Sequence, residues 1–249
     1  MDSETVKPRW WAQAILIGSV IAAALVIVSG LGTRFGIWEY TGGFTVASGG
    51  VLLATAAVFF GIVGYAVCLF KGFKAERSNL LIGVLISALI LGQTGMQMAA
   101  LAAVHAIHNI STDTLDPPDF DVLVAVREAE GANPLAYDAE VLAETKQQAY
   151  PWVKTMKSAT SPEMVLNNAV TVLEDMGLEV VNVSAEEGIV EATDTTFWYG
   201  FKDDVVVRVR SAESGSGSIV DVRSVSRVGR SDVGLNAKRI GEILNGLGG

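Results

Sequence analysis

The sequence predicts a membrane-anchored protein with three transmembrane helices and a small α+β domain, in which helices cover one face of an antiparallel sheet of about four strands. Two observations predict this fold class. Long apolar runs without charged residues dominate the first 108 residues, and short alternating runs between two helical patterns end the chain. Half of the 249 residues are hydrophobic and the mean hydropathy is +0.41, which is too apolar for an ordinary soluble domain.

Three uncharged apolar runs are predicted to be membrane-spanning helices, at residues 11–32, 48–70 and 80–104. Each provides the ~20 residues that cross a hydrocarbon core. The first exceeds the ~7–15 apolar residues of a cleaved signal peptide and is followed by further spans, so we interpret it as a retained helix. Residues 1–108 are therefore predicted to form a transmembrane region embedded in the lipid bilayer.

Basic residues in the short loops predict the orientation. Lys7 and Arg9 precede the first helix, and Lys71, Lys74 and Arg77 lie between the second and the third. Because short loops rich in lysine and arginine stay on the cytoplasmic side, we expect a cytoplasmic amino terminus. The chain after residue 105 is then expected outside the membrane.

The third helix carries a mildly polar face. Gln93 and Gln97 are four residues apart, close to Gly92 and Gly95. Glutamines hydrogen-bond across helices and glycines permit close approach, so this face predicts either a self-packed bundle or a docking site for a partner subunit. The spans contain no Asp, Glu, Lys or Arg, which argues against a conduction path. An accessory subunit of a transporter remains an alternative.

Composition excludes several classes of partner and cofactor. The net charge is −9, with the acidic excess after residue 108, and an acidic domain repels nucleic acid on average. The only cysteine, Cys68, lies in the second span, so thiolate metal sites are excluded from the outer domain. His105 and His108 have no obvious third ligand and are interpreted as polar residues at the membrane surface. We therefore expect no nucleic-acid partner, metal or other cofactor.

Residues 109–122 are predicted to be an extended acidic linker because two adjacent prolines prevent helix formation, and residues 123–249 are predicted to form the outer α+β domain. Two helices are expected first, at residues 138–148 and from Ser161-Pro162-Glu163 to Gly177, where the serine, proline and acid mark a helix start. Alternating apolar residues predict strands at 178–184, 188–194, 205–210 and 219–228. The segment 197–201 either extends the second strand or forms its own. A final helix is expected to begin near Ser231-Asp232.

Four blocks of the outer domain resemble a known family: NPLAY (133–137), QQAYP (147–151), EATDTTFWYGFKDDVVVRV (191–209) and DVRSVSRVGRSDVGLNAKRI (221–240). They are similar to the conserved blocks of family 1499 of the domains of unknown function, over about residues 109–249. The chain departs from that pattern after Tyr150-Pro151, where family members more often carry an acidic residue. With the orientation predicted from the loop charges, a bacterial plasma (inner) membrane places the outer domain in the periplasm or extracytoplasmic space. The resemblance itself implies only a domain often fixed to a bacterial membrane by helices. It implies no activity, cofactor or catalytic residue.

Strand alternation groups the arginines of the outer domain. In the last two predicted strands, Arg208, Arg210, Arg223 and Arg227 point away from the valine rows. Burying both valine rows on one side restricts the register. The register that we predict places Arg210 opposite Asp221, Arg208 opposite Arg223 and Asp204 opposite Arg227.

This register brings two like charges together and suggests a site. Arg208 facing Arg223 is unfavourable unless a negative group covers them, and the following helix start attracts anions. The sequence therefore predicts a surface for an anionic ligand or an acidic partner, consisting of Arg208, Arg210, Arg223, Arg227, Arg230 and Ser231. The competing and favoured interpretation is a ladder of charges satisfied by Asp203, Asp204 and Asp221, with Ser231 or Asp232 only capping the helix.

Catalysis would need a different set of residues. Asp194, Asp203 and Asp204, with Tyr199, are the candidates for acid–base chemistry, and the sequence contains no Gly-x-Ser-x-Gly motif or phosphate-binding loop. We therefore assign no catalytic residue. A binding or scaffold module of the cell envelope is favoured over a membrane-tethered enzyme.

Overall fold

The computed structural model describes residues 7–104, 107–137, 139–213 and 215–248. The chain divides into two compact units, one formed by residues up to 100 together with 198–200, and the other by residues 101–197 and 201 onward. His105, which the sequence suggested as a polar residue at the membrane surface, lies outside the described residues.

Each of the three predicted spans corresponds to a helix: α1 (Trp10–Arg34), α2 (Tyr40–Lys71) and α3 (Arg77–Ala103). All three are long and apolar enough to cross a membrane. The second begins well before its predicted start at residue 48, because residues 40–47 contain no proline that would interrupt the helix. Gly72 ends α2 in the left-handed conformation, with φ of 75°, which glycine adopts at little cost.

Small residues bring the helices of this unit together. A Cβ added to Gly61 of α2 would lie only 2.4 Å from the Val84 side chain of α3. A Cβ added to Gly83 of α3 would lie 3.1 Å from the Ser19 hydroxyl of α1. The Ser87 hydroxyl donates a hydrogen bond of 3.0 Å to Ser19. Small residues thus allow these apolar helices to approach each other closely.

The outer domain is built on one antiparallel sheet. Its strands are β1 (Asn109–Ser111), β2 (Met156–Ser158), β3 (Glu179–Ser184), β4 (Ile189–Thr195), β5 (Lys202–Ser211) and β6 (Ser218–Ser226). The order is β1-β6-β5-β4-β3, and β2 pairs with the beginning of β6. The predicted antiparallel sheet is confirmed, and its four long strands match the predicted ones. The two additional strands have three residues each, too short for alternation to reveal them.

Two helices cover one face of this sheet, as predicted: α6 (Pro162–Asp175) and α7 (Leu235–Gly246). They pack on a core formed by the inward valines of β5 and β6 together with residues such as Leu173 and Ile240. The helix predicted at residues 138–148 is α5 (Ala139–Ala149), which lies near β1. The structure adds α4 (Val122–Glu130), which lies on the opposite face with Leu123 packed against Val206 and Val225. Segment 197–201 forms a turn rather than a strand.

The segment 109–122 does not run free as a linker. Its first three residues form β1, pairing with Val225, Ser224 and Arg223 of β6. The next residue, Thr112, continues this pairing, since its backbone N–H donates to the carbonyl of Val222 at 3.0 Å. The proline pair excludes a helix, as expected, but an extended chain also suits the edge of a sheet.

Candidate functional site: the charged face of the sheet

The pairing of β5 with β6 differs from the predicted register by two residues. Arg208 lies opposite Asp221, while Arg223 lies opposite Val206. The prediction that Arg208 faces Arg223 is therefore wrong, as are the other two predicted pairs, since Arg210 lies opposite Ile219 and Asp204 opposite Val225. A two-residue slip leaves every side chain on its own face, so the valine pattern did not distinguish the two registers. The observed one replaces a like-charge pair by an opposite-charge pair.

Arg223 is buried inside the domain rather than displayed on its surface, with 2% of the residue exposed. Its Nε donates to the Asn109 side-chain oxygen at 3.1 Å, and its two terminal nitrogens donate to the carbonyl oxygens of Pro118 and Leu135. The guanidinium lies 5.6 Å and 5.5 Å from the ring centres of Phe120 and Tyr137.

This environment has two electrostatic consequences. Burial lowers the pKa of Arg223 to about 10 and raises the pKa of the nearby Tyr137 to about 12, since removal from water disfavours the charged form of each group. Both pKa values stay far above neutrality, so Arg223 is charged and Tyr137 is neutral there. Arg223 therefore acts as a cation that ties the segment 113–137 to the sheet at both ends.

Arg227 and Arg127 share one fully buried carboxylate, that of Asp204. Arg227 binds it with two bonds, of 2.8 Å from Nε to Oδ2 and 2.7 Å from Nη2 to Oδ1. Arg127, from α4, donates to Oδ2 at 2.6 Å, and the Thr193 hydroxyl donates to Oδ1 at 2.8 Å. Burial alone would lower the pKa of Arg227, but its bonds to Asp204 and Glu130 outweigh that effect and raise it. The cluster joins α4 to the sheet.

A buried glutamate that sequence reasoning missed holds the start of α4. The Glu191 carboxylate accepts hydrogen bonds of 2.9 Å from the backbone N–H groups of Asp121 and Val122, and one of 3.4 Å from that of Leu123. The first N–H groups of a helix lack partners within the helix and favour negative charge. Glu191 thus caps α4 from a neighbouring strand. The available signal was an acidic residue inside an otherwise apolar strand.

Arg208 and Arg210 form the more accessible end of this face. Both approach the fully buried carboxylate of Asp221, Arg210 at 2.7 Å and Arg208 at 3.5 Å. Both also contact Asp116 Oδ2 at 3.1 Å. The Arg210 side chain is 41% exposed and that of Asp116 is 68% exposed, so this shared contact faces solvent.

The predicted helix-start residues lie apart from this cluster. Arg230 is exposed and Ser231 is half-buried. The first turn of α7 is capped by Asp232, whose Oδ1 accepts from the Gly234 N–H at 2.9 Å and whose Oδ2 accepts from the Asn236 N–H at 2.6 Å. Burial raises the pKa of Asp232. The structure thus has the capping carboxylate that the competing interpretation suggested.

The two adjacent acids of the catalytic alternative point to opposite faces of the sheet. Asp204 lies under α4, whereas Asp203 accepts a bond of 2.8 Å from Arg239 of α7. Asp194 accepts from the same arginine at 2.5 Å and borders a depression of about 460 Å³ beside α7. The sequence did not indicate Arg239, which lies on the sheet-facing side of an amphipathic helix. Asp203 and Asp204 therefore do not form a carboxylate dyad.

A known family model matches the outer domain. Residues 109–247 match the model described as "Protein of unknown function (DUF1499)". The match covers more than half of the chain and extends from β1 through α7. It therefore includes all the charged residues of the sheet face. The comparison with curated proteins finds no match.

Proposed function

The chain belongs to the DUF1499 family, and on that premise we propose that it is a membrane-anchored cell-envelope protein whose outer domain is a binding or scaffold module. Three helices that are long and apolar enough to cross a membrane support the anchoring. The basic residues where α2 ends and α3 begins, Lys71, Lys74 and Arg77, support a cytoplasmic amino terminus at a bacterial inner membrane. The outer domain then faces the periplasm or extracytoplasmic space.

Labelling of introduced cysteines tests this orientation. In a Cys68→Ser background, Glu186→Cys places a thiol in the exposed turn before β4, and Lys74→Cys places one in the loop between α2 and α3. A membrane-impermeant maleimide applied to intact spheroplasts should label the first variant and leave the second unlabelled until lysis. Labelling of Lys74→Cys alone before lysis would overturn the orientation.

The position of Asp116 is the observation that favours an anionic partner. Its carboxylate is shared by Arg208 and Arg210, yet it is mostly exposed on a surface segment. An exposed ion pair contributes only ~0.2–1 kcal/mol. A carboxylate or phosphate group from outside could therefore replace Asp116 at little cost, while the buried Asp221 keeps both arginines in place.

Of the arginines in the predicted surface on the sheet, only Arg208 and Arg210 are accessible enough to take part in this recognition. Arg223 and Arg227 hold segment 113–137 and are not free to meet a partner. Arg210, with Arg208 beside it, remains as the recognition element for an oxyanion. An enzyme that uses Asp194, Asp203 or Asp204 is less well supported, because Arg239 binds the first two and Arg127 and Arg227 bind the third.

Calorimetry on the full chain in nanodiscs tests the recognition of anions, with inorganic phosphate and a glutamate-rich peptide as separate probes. Asp113 also contacts Arg208 at 3.6 Å and Arg210 at 3.5 Å but is less exposed than Asp116. Asp116→Asn removes the more exposed of these two internal competitors and should tighten binding of the preferred probe by about fivefold, since 1.4 kcal/mol is tenfold in affinity. Arg210→Gln should weaken it. Asp119→Asn is the matched control, because that side chain is 99% exposed on the same segment. Equal responses of Asp116→Asn and Asp119→Asn would contradict the proposal.

We also propose a partner helix for α3. Residues 95–100 of α3 are exposed, as are Gln93 and Gln97. Within the described part of the chain neither of these side-chain amides has a hydrogen-bond partner. An amide in hydrocarbon without a partner costs several kcal/mol on scales that allow no compensation, which favours contact with another membrane helix. Such a helix could belong to a transporter, for which this chain would be an accessory subunit.

A further inference from the structure

An apolar groove runs between α1 and α2 near the end of the unit where α1 begins. Its volume is about 410 Å³, and the residues that line it are all apolar or aromatic, among them Trp11, Ala14, Leu53, Phe60 and Gly64. This volume lies within the ~300–1,000 Å³ of pockets that bind small molecules. The groove therefore has room for a flexible apolar chain.

Small residues create the groove. Ala14 and Gly18 of α1 line it together with Ala56 and Ala57 of α2, and larger side chains at these positions would fill the space. The Cβ of a residue at Gly18 would have the Leu53 side chain at 3.8 Å, an ordinary van der Waals distance. The groove therefore exists because short side chains line its middle, while the large rings of Trp11 and Phe60 also line it.

Cations collect at one end of this groove. Arg9 directly precedes the lining residues Trp10 and Trp11, and its guanidinium carbon stacks 3.4 Å from the centre of the Phe73 ring in the loop after α2. Lys71 lies seven residues after the lining residue Gly64, on the same side of α2 and about 10 Å further along its axis.

The balance of charge at this end is positive. Lys7, Lys71 and Lys74 are exposed, and the Arg9 side chain is half-exposed. The one acid described there, Glu76, is buried and lies 3.6 Å from the Arg9 Nε. Cations beside an apolar groove between membrane helices complement a lipid with an anionic headgroup.

We propose that this groove binds one acyl chain of an anionic phospholipid, with the lipid phosphate between Arg9 and Lys71. The inference rests on the proposed membrane insertion. The apolar groove provides the affinity for the chain, and the two cations select the headgroup charge. A zwitterionic lipid fits the same groove but carries a compensating positive group, so it gains less from Arg9 and Lys71.

Native mass spectrometry of the full chain tests this site. The protein is incorporated into nanodiscs of equimolar phosphatidylglycerol and phosphatidylcholine with identical acyl chains, and the lipids that stay bound after release are counted. The wild type should retain phosphatidylglycerol several-fold more often than phosphatidylcholine. Combining Arg9→Gln with Lys71→Gln should remove that preference, whereas the charge control Lys157→Gln, at an exposed position of the outer domain, should keep it.

A second pair of variants separates the groove from general attraction to a basic surface. Ala14→Leu fills the groove and should abolish retention of both lipids, while Ala24→Leu, at an exposed position on the same helix outside the groove, should not. Equal retention of the two lipids by the wild type, or equal behaviour of the two leucine variants, would overturn the proposal. Failure to enter nanodiscs of any composition would instead refute the proposed membrane insertion.

Discussion

Replacing Glu191 by glutamine should release α4 from the sheet. The Glu191 carboxylate accepts bonds from three consecutive backbone N–H groups, two of them at 2.9 Å, and from the Asn182 amide at 2.9 Å. Glutamine keeps one acceptor oxygen but turns an NH2 group toward the same donors, and the negative charge at the helix start is lost. A hydrogen bond to a charged group is worth about 1.5–3 kcal/mol, and the interaction with the helix dipole adds up to ~2 kcal/mol. We therefore expect a loss of about 3 kcal/mol in the free energy of opening this segment.

Hydrogen exchange of the full-length protein measures this opening directly. Because 1.4 kcal/mol corresponds to a factor of ten, amides in peptides spanning 118–130 should exchange on the order of 100-fold faster in Glu191→Gln. Glu186→Gln is the matched control, since Glu186 is exposed in the turn before β4. Wild-type exchange rates in Glu191→Gln would refute the capping role. Equal acceleration in β5 and β6 would show that Glu191 supports the whole sheet rather than α4.

Three further outcomes follow from the same contacts. Arg223→Ala should lower the free energy of unfolding by about 3 kcal/mol, because buried acceptors at Asn109, Pro118 and Leu135 lose their donor, and unchanged thermal stability of the full chain would contradict this. Burial and the charge of Arg127 lower the pKa of His108 below its usual value of 6.5. As the pH falls through 6.5, the unfolded chain therefore binds a proton at His108 before the folded chain does, and the free energy of unfolding decreases. Thermal unfolding across pH should show this slope and its reduction in His108→Gln. Combining Gln93→Leu with Gln97→Leu should convert the native membrane complex to a smaller species on a native gel, and an unchanged size would argue against a partner helix there.

Local features were predictable where a single stretch of chain contains the whole physical cause. A membrane span needs only length and the absence of charge, so α1, α2 and α3 followed from the sequence. The start of α6 likewise depends on adjacent residues, Ser161 and Pro162. The assignment of valines and arginines to opposite faces of β5 and β6 was also predictable, because side chains alternate along every strand.

The register of β5 against β6 could not be predicted in this way. A slip of two residues preserves both faces, so the valine pattern does not choose between registers, and contacts from outside the hairpin contribute to the choice. One such contact comes from Arg127 of α4, whose Nη1 donates to Asp204 of β5 at 2.6 Å and to the carbonyl of Val225 of β6 at 3.2 Å. These two residues are directly opposite each other in the observed register.

The role of the arginines was decided in the same way by the tertiary structure. Alternation shows that Arg223 and Arg227 leave the valine face, but not whether water or protein lies on the other side. The segment 113–137 covers them, and their partners Pro118 and Glu130 are roughly a hundred residues earlier in sequence. The sequence by itself determined the spans, the strands and the division of the sheet into an apolar and a charged face. Only the tertiary structure decided that most of the charged face is interior, because a buried cation is stable only where the folded chain brings acceptors to it.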